Sequence, residues 1–352
     1  MTLIHLLTLI NKSDMMKRRV LFGLLSVCLL LTGCEKAVFD DDDSTTVETK
    51  GNVVLSVSGF EQMTSAARNA INLTEVCTRL DFVVYKDGER LVNVHQKASS
   101  TNFGQVELSL DEGDYQVLIL GHSGQGSSNP DTKNPANVLF SNLTEKGGGT
   151  GYSDTFYYYG DLTVGAGQTS ESYQLKRAVA MFRLVTTDAK PADVKRFWFS
   201  ISGGCKGFDT TEGKGVYNPK QQAPIMFYDL DDTYDGKTLQ LDVFTFVSPE
   251  AGNVNLTVRA MGAANSEGNR DILYERVFEN VPMERNTITQ YSGAFFGTGE
   301  PDDPDTPDNP DNPDDPDPDN PDEPDNPDQP TNPSSGTFLV DTDWTSTQYF
   351  TF

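Results

Sequence analysis

The sequence predicts an all-β protein whose body consists of two tandem β-sandwiches. Short runs with apolar residues at every second position recur between residues 51 and 299, and a period of two is typical of half-buried strands. Turns carrying Gly, Pro, Asn and Asp separate these runs at short intervals, a spacing typical of sandwiches rather than βαβ units. The first half offers one short candidate helix, Thr64 to Ile71.

An N-terminal signal, residues 1–33, precedes this body. The basic trio Lys17-Arg18-Arg19 is followed by an apolar run of about twelve residues, whereas a membrane-spanning helix needs ~20. The run ends in Leu31-Thr32-Gly33-Cys34, the pattern of a lipobox. We expect the mature protein to begin at Cys34, whose thiol receives a diacylglycerol and whose freed amine receives a third acyl chain, a firm membrane anchor. The alternative is a plain secretory signal with a chance cysteine.

The next segment, residues 34–50, is predicted to be an acidic tether. Four consecutive carboxylates, Asp40 to Asp43, repel one another and stay hydrated, which favours disorder. Acidic residues soon after a lipidated cysteine resemble a surface-export signal of lipoproteins. A simple spacer is the alternative that remains open.

The first sandwich is predicted to span residues 51–174. The dipeptide Asp87-Gly88 lies between two alternating runs and predicts a hairpin, because glycine tolerates a positive φ. The run from Tyr115 to Leu120 is apolar on both faces and predicts a central strand. The segment from Gly121 to Gly151 is rich in Gly, Asn, Ser and Pro and predicts long loops.

The second sandwich is predicted to span residues 175–299 and to open with a strand from Leu175 to Val185. The later predicted strands are Arg196 to Ile201, Leu239 to Val247, Val254 to Ala260 and Ile272 to Phe278.

A linker and a final strand-like segment follow the two sandwiches. The linker, residues 300–336, has eleven prolines and thirteen acidic residues between positions 301 and 330, and no Lys or Arg there. Proline fixes φ and the carboxylates repel, so we expect a disordered, extended rod of ~3.1 Å per residue. The segment 337–352 places its large apolar side chains on one strand face: Phe338, Val340, Trp344, Phe350 and Phe352. It is a candidate donor strand, with docking onto its own body and a sorting tail as the alternatives.

The charge and the scarcity of catalytic side chains exclude several function classes. A formal net charge of −25 does not suit a nucleic-acid partner, which needs a basic face. Downstream of Cys34 there are two histidines, and His122 lies in a motif that lacks the second glycine of a nucleophile elbow, so we interpret it as a loop histidine. The sequence therefore predicts no enzyme and no cofactor.

Three further patterns have structural explanations that we prefer. Asp231 to Gly236 partly matches a calcium loop, but a hairpin turn at Asp235-Gly236 explains the same residues, and no metal is expected. Cys77 and Cys205 are predicted to be separate buried thiols rather than a disulfide. Trp198, between two phenylalanines, is either a sugar-stacking surface or part of an aromatic core face.

Three stretches resemble the FimB-like, fimbrillin-associated anchor lipoproteins of type V fimbriae. They are Leu80 to Gly88 followed by Gly113-Asp114-Tyr115, then Leu175 to Val185, then Val281 to Thr287 followed by Gly293 to Phe296. The resemblance implies two transthyretin-like β-sandwich domains, no catalysis and a first strand that stays in place. The proline-rich linker and the segment beyond it depart from the family pattern.

From the lipobox and this resemblance we expect a structural lipoprotein, lipid-anchored in the outer membrane and exposed at the cell surface. Its expected partners are the outer-membrane lipid, through acylated Cys34, and the major stalk subunit of the fimbrium. The alternative is a glycan- or host-binding adhesin lipoprotein of the same fold.

Overall fold

A computed structural model of the chain describes residues 51–61, 72–124, 129–140, 151–220, 223, 225–297 and 344–352. The lipobox with Cys34, the candidate helix Thr64 to Ile71, the linker, Phe338 and Val340 lie outside these residues. The described residues belong to one compact unit, Thr49–Phe352. Within them, no helix has the length and apolar character that crossing a bilayer requires.

Strands dominate the described residues, as the period of two predicts. The first eight are β1 (Val53–Phe60), β2 (Arg79–Lys86), β3 (Glu89–Lys97), β4 (Gln105–Leu108), β5 (Gly113–His122), β6 (Val138–Leu139), β7 (Thr155–Val164) and β8 (Thr169–Arg177). The remaining ten are β9 (Ala180–Thr186), β10 (Arg196–Ser202), β11 (Gly207–Asp209), β12 (Lys214–Val216), β13 (Met226–Asp229), β14 (Gln240–Thr245), β15 (Val254–Ala264), β16 (Arg270–Val281), β17 (Thr287–Gly293) and β18 (Ser346–Thr351). The 3₁₀ helices are Leu73–Glu75, Pro135–Asn137, Asp232–Tyr234 and Pro249–Ala251.

The first sandwich is one seven-stranded sheet, in the order β3-β2-β5-β7-β8-β1-β4, that folds back on itself at β8. Most of β8 pairs in parallel with β1, while its last residues pair with β7. Side chains from β1, β4 and β8 share one buried core with side chains from β2, β5 and β7. The first strand is therefore in place, as the resemblance implies, between β8 and β4.

The second sandwich consists of two four-stranded sheets, β13-β10-β15-β16 and β14-β9-β17-β18. Its buried core draws on both sheets. Seven of its strands repeat the first sandwich in chain order and in pairing: β9, β10, β13, β14, β15, β16 and β17 correspond to β1, β2, β3, β4, β5, β7 and β8. The parallel pair of first and last strands recurs as β9 with β17.

One pairing differs between the two repeats, and it concerns the outer edge of the last strand. In the first sandwich β7 pairs with the end of β8. In the second, β16 and β17 belong to separate sheets, so the outer edge of β17 is open to an additional strand. The C-terminal strand β18 occupies this place. We call the outer edge of β17 the acceptor edge.

A third buried cluster, the junction cluster, joins the two sandwiches. It contains Leu118 and Leu120 from β5, Phe208 from β11, and Phe244 and Phe246 from the second sandwich. A small sheet, β12-β11-β6, contributes to it by pairing an insertion of the first repeat with an insertion of the second. Because β2 and β5 pack on the first core with one face and on the junction cluster with the other, β5 is central, as predicted.

Three local expectations have a clear outcome. The hairpin at Asp87-Gly88 is confirmed, with positive φ at both residues. The single strand predicted from Leu175 to Val185 is wrong: β8 continues to Arg177, and β9 begins at Ala180. The predicted loop from Gly121 to Gly151 includes the end of β5 and the short strand β6.

Candidate functional site

The C-terminal strand β18 adds to the acceptor edge in parallel register. Each of its six residues pairs with one residue of β17, from Thr287 opposite Ser346 to Ser292 opposite Thr351. Two further backbone hydrogen bonds extend the ladder: the Thr345 N–H donates to the Asn286 carbonyl at 3.0 Å, and the Phe352 N–H donates to the Ser292 carbonyl at 3.1 Å. An edge strand exposes a row of unpaired backbone groups, and β18 satisfies that row on β17.

Aromatic side chains of the C-terminal strand pack against aromatic side chains of the second sandwich. The Phe350 ring stacks on Tyr291, with centroids 4.8 Å apart and an interplanar angle of 15°. The Phe352 ring meets Phe278 edge-on at 5.0 Å. Such aromatic pairs stabilise beyond the area that they bury. Tyr349, which points the other way, is 73% exposed.

Trp344, just before β18, packs on a buried arginine at the junction between the sandwiches. The Arg177 guanidinium carbon lies 3.8 Å from the centroid of the Trp344 ring and 5.0 Å from that of Phe156. The same guanidinium donates to both carboxylate oxygens of Asp154, at 2.8 and 2.9 Å. A buried charge needs a partner and aligned hydrogen bonds, and a desolvated cation on an indole face is a strong cation–π contact.

Asn286 connects this arginine to the C-terminal strand. Its side-chain oxygen accepts from Arg177 at 2.7 Å, and its amide nitrogen donates to the Thr345 hydroxyl at 2.7 Å. Its backbone N–H donates to the Val179 carbonyl at 2.8 Å, and its carbonyl accepts from Thr345. The backbone has φ of 61°, a left-handed conformation that asparagine tolerates better than most residues. Asn286 thereby contacts the first sandwich, the connection between the sandwiches and the C-terminal strand.

Gly293, at the end of β17, leaves room for the end of the chain. A Cβ at this position would overlap the carbonyl oxygen of Phe352. The C-terminal strand is therefore seated by complementary shape at its end as well as by the backbone ladder.

The structure describes part of the predicted site. Trp344, Phe350 and Phe352 all contact the second sandwich of their own chain. This arrangement is the alternative of docking onto the protein's own body, and donation to another subunit stays a prediction. Cys34, Phe338 and Val340 lie outside the described residues.

The receiving side of the site was missed by sequence reasoning. Arg177, Tyr291 and Asn286 give no local pattern that announces a binding surface, because their partners are more than fifty residues away in the chain. Arg177 and Asn286 do fall within two of the stretches that carry the family resemblance, which was the available signal.

The two histidines of the described residues form a cluster with the buried Asp81. The prediction that His122 is a loop residue is wrong. His122 ends β5, is 1% exposed and contacts the Asp81 carboxylate through Nε2 at 3.2 Å. His95 contacts the other carboxylate oxygen through Nδ1. Burial raises the pKa of Asp81, but hydrogen bonds from His122 and His95 outweigh it and hold that pKa below its usual range.

The carboxylates of the acidic loop near Asp231 all make contacts within the protein. The Asp231 side chain caps the 3₁₀ helix Asp232–Tyr234, while Asp232 and Asp235 pair with Lys195 and Lys190. The predicted hairpin at Asp235-Gly236 is wrong, because the flanking strands β13 and β14 belong to different sheets. Among the described residues, no group of three or more His, Cys, Asp or Glu is arranged to hold a metal ion.

The remaining candidates divide between core and surface. Cys77 and Cys205 are free and buried, and burial raises the pKa of each thiol to about 12, so both stay protonated at neutral pH. Phe197 and Phe199 face the second core, whereas Trp198 lies on the opposite face of β10, where the Arg259 guanidinium covers its ring at 4.7 Å.

Comparison with known proteins supplies the family. The sequence profile of the fimbrillin-A associated anchor proteins Mfa1 and Mfa2 matches residues 40–274. The fimbrial anchor protein Mfa2 from Porphyromonas gingivalis is similar in structure at 11% identity, covering 64% of this chain and 81% of that one with a TM-score of 0.36. A fimbrial assembly protein from Parabacteroides distasonis is similar at 11% identity, covering 70% and 91% with a TM-score of 0.34. Among curated proteins, none matches the sequence. The profile covers more than half of the sequence, and the chain belongs to the family of fimbrillin-A associated anchor proteins.

Proposed function

We propose that the protein is an outer-membrane lipoprotein that anchors, and at its base terminates, a fimbrium of the type V kind. Acylated Cys34 holds one end in the lipid, and the two sandwiches form the structural body. The partner is the major stalk subunit, engaged by strand addition. Membership of the anchor family and the structural site at β17 support this proposal.

The observation that carries the proposal is the acceptor edge and the strand that fits it. Among the described strands other than β18, β17 pairs with β9 alone. When an extended strand is added to its other edge, the sandwich gains a backbone ladder and aromatic contacts. In the structure this strand comes from the same chain. The long linker, residues 300–336, supplies the reach for β18 to serve an equivalent edge of a stalk subunit instead.

Strand donation is tested by removing the strand. We expect a chain that ends at Gly299 to lose capture of the stalk subunit from surface-labelled cells, because the backbone ladder and its aromatic side chains are gone. The matched control is the full chain with Tyr349→Ala, since this exposed side chain lies on the same strand but makes none of the aromatic contacts described for β18. Equal capture by the shortened and full chains contradicts strand donation.

The lipid anchor is tested by Cys34→Ala. We expect this variant to release filaments into the medium, since without acyl chains the base of the fibre has no hold on the bilayer. The measurement is the number and length of filaments that stay on the cells, with Cys77→Ala as the control for loss of a cysteine as such. Filaments fastened in normal number and length on Cys34→Ala cells contradict the anchor.

A surface adhesin is the second candidate, and one feature favours it. The outer face of the sheet β13-β10-β15-β16 aligns Phe227, Trp198, Arg259 and Glu275 in one cross-strand row. Aromatic and charged side chains on one sheet face suit the stacking and hydrogen bonding of a glycan. A glycan-dependent rise in Tm that Trp198→Ala abolishes would favour the adhesin, and unchanged capture of the stalk subunit by the same variant would keep the two functions separate.

A further inference from the structure

The C-terminal strand contacts both sandwiches, although it pairs with only one of them. Its ladder lies on β17 of the second sandwich. Trp344 packs on Arg177, the last residue of β8 in the first sandwich, and its ring also stacks near Phe244 of β14, with centroids 6.3 Å apart. The strand therefore bridges the point where the chain passes from one sandwich to the other.

That passage is short and held by hydrogen bonds. Ala178 and Val179 alone separate β8 from β9, and both are buried. The Ala178 N–H donates to the Thr155 carbonyl of the first sandwich at 2.7 Å, while the Val179 carbonyl accepts from Asn286 of the second. We call residues 178–179 the connector.

The connector and the C-terminal strand share one hydrogen-bond hub. Asn286 bonds Val179 and Arg177 on one side and Thr345 twice on the other, so its amide nitrogen Nδ2 and its carbonyl oxygen lose these Thr345 partners when the strand undocks. Undocking also uncovers the face of the buried Arg177 guanidinium on which the Trp344 ring packs. Buried polar groups that lose partners are costly, so the state of the strand and the state of the connector are energetically coupled.

We propose that the C-terminal strand is a brace that fixes the two sandwiches relative to each other, and that its departure from the acceptor edge loosens the connector. Where the strand is handed to another subunit, a consequence that rests on the proposed function, the connector of the anchor loosens at the moment of engagement, while the junction cluster still joins the two sandwiches. By linkage the effect is reciprocal: whatever loosens the hub also weakens docking of the strand.

The test uses the purified full-length chain without fimbrial subunits. Amide hydrogen exchange is measured at the connector and along β18 for Trp344→Ala and for Tyr349→Ala, which changes an exposed side chain of the same strand. We expect exchange at Ala178 and at Asn286 to rise on the order of tenfold in Trp344→Ala, the scale of one lost desolvated cation–π contact, and to stay unchanged in Tyr349→Ala.

Two more variants keep the outcome decisive. Trp344→Phe retains an aromatic face and is expected to give an intermediate rise, should the alanine variant fold poorly. Asn286→Gly keeps the left-handed backbone but removes the side-chain hub, and is expected to speed exchange in both the connector and β18. The brace is overturned if β18 exchanges faster while connector exchange matches that of Tyr349→Ala. Failure of stalk-subunit capture in the separate experiment leaves this result unaffected.

Discussion

Asp81 shows how one carboxylate can decide the position of two other side chains. It is buried in β2, and it accepts hydrogen bonds from His95 on β3 and His122 on β5. The cluster crosses three adjacent strands and ties the edge of the first sandwich to its centre. A structural role explains both histidines, which sequence reasoning had examined for catalysis.

Replacing Asp81 by asparagine is expected to destabilise the protein by roughly 2–4 kcal/mol, since an amide cannot accept equally from both imidazoles and leaves buried groups unpaired. Urea unfolding at neutral pH measures this change. The control is Asp114→Asn, because Asp114 is an exposed carboxylate that accepts from Thr163 on the surface of the same sandwich. A loss below that of the control contradicts the role assigned to Asp81.

The same residue predicts a pH dependence. The folded pKa of Asp81 lies below its usual value, so its contribution to the free energy of unfolding is complete above the unfolded pKa of ~3.9 and is lost as the pH falls toward the folded value. We expect the wild-type protein to lose stability below about pH 4 more steeply than Asp81→Asn. Unfolding curves between pH 2.5 and 6 give the comparison, and parallel profiles for the two proteins contradict it.

The limits of sequence reasoning at this scale follow from distance along the chain. The Asp87-Gly88 turn was predictable because its whole signal lies in adjacent residues. The position of His122 was not, because the partner that makes its burial tolerable is Asp81, 41 residues earlier. Asn286 belongs to the same class, since its bonds reach Arg177 and Thr345.

Among the strands, β18 depends on one glycine of its neighbour. Gly293→Ala is expected to undock the end of β18, because the added methyl group would overlap the Phe352 carbonyl. The readout is amide hydrogen exchange at Phe352, whose N–H donates to the Ser292 carbonyl at 3.1 Å when the strand is docked. We expect exchange at this amide to rise as the end of the strand leaves the acceptor edge.

A second glycine gives the matched control. A Cβ at Gly165 meets nothing within 4 Å, so Gly165→Ala is expected to leave hydrogen exchange at Phe352 unchanged. If Gly293→Ala and Gly165→Ala give the same exchange at Phe352, the close approach at the end of β17 does not seat the strand.

Strand identity was largely predictable, whereas strand destination was not. Alternation along the last residues placed Trp344, Phe350 and Phe352 on one face, and all three make aromatic or cation–π contacts in the structure. Alternation carries no information about which edge receives a strand. It also hid the break between β8 and β9, because Ala178 and Val179 continue the apolar run without a turn residue.

At the scale of the whole molecule, two repeats of one topology are fused through the junction cluster. Phe246 lies at its centre, with ring centroids 5.0 Å from Phe140, 4.6 Å from Tyr152 and 5.2 Å from Phe208. Phe140 and Tyr152 come from the first half of the chain and Phe208 from the second. We therefore expect wild-type protein to unfold in a single cooperative transition.

Phe246→Ala is expected to cost roughly 3–5 kcal/mol and to separate the unfolding of the two sandwiches, since the cavity lies between them. The matched control is Leu256→Ala, a fully buried residue of the second core alone, which we expect to lower the midpoint while keeping one transition. Urea curves followed by tryptophan fluorescence and by far-UV circular dichroism give the test. Coincident curves for Phe246→Ala contradict a coupling role for the junction.

The repeat itself was beyond sequence reasoning. Period-two alternation and turn spacing predicted two sandwiches, but corresponding strands such as β2 and β10 share only an initial Arg and a Phe at the fourth position. The correspondence is visible only in the order and direction of pairing, which backbone hydrogen bonds define. The insertions that build β6, β11 and β12 look like loops in the sequence because each strand has only two or three residues.

If β18 is exchanged between chains, as the proposed strand donation requires, then one acceptor edge and one C-terminal strand per chain impose a counting rule on an assembly of these molecules. An edge receives a single strand, so a chain that gives its strand away is left with a vacancy, and a chain whose edge is filled from outside has a strand to spare. In a single chain, β18 fills the acceptor edge of the same chain, so neither the edge nor the strand is available to another molecule. A linear assembly of these chains then always has one unfilled acceptor edge at its growing end. Growth stops when that last edge receives a strand.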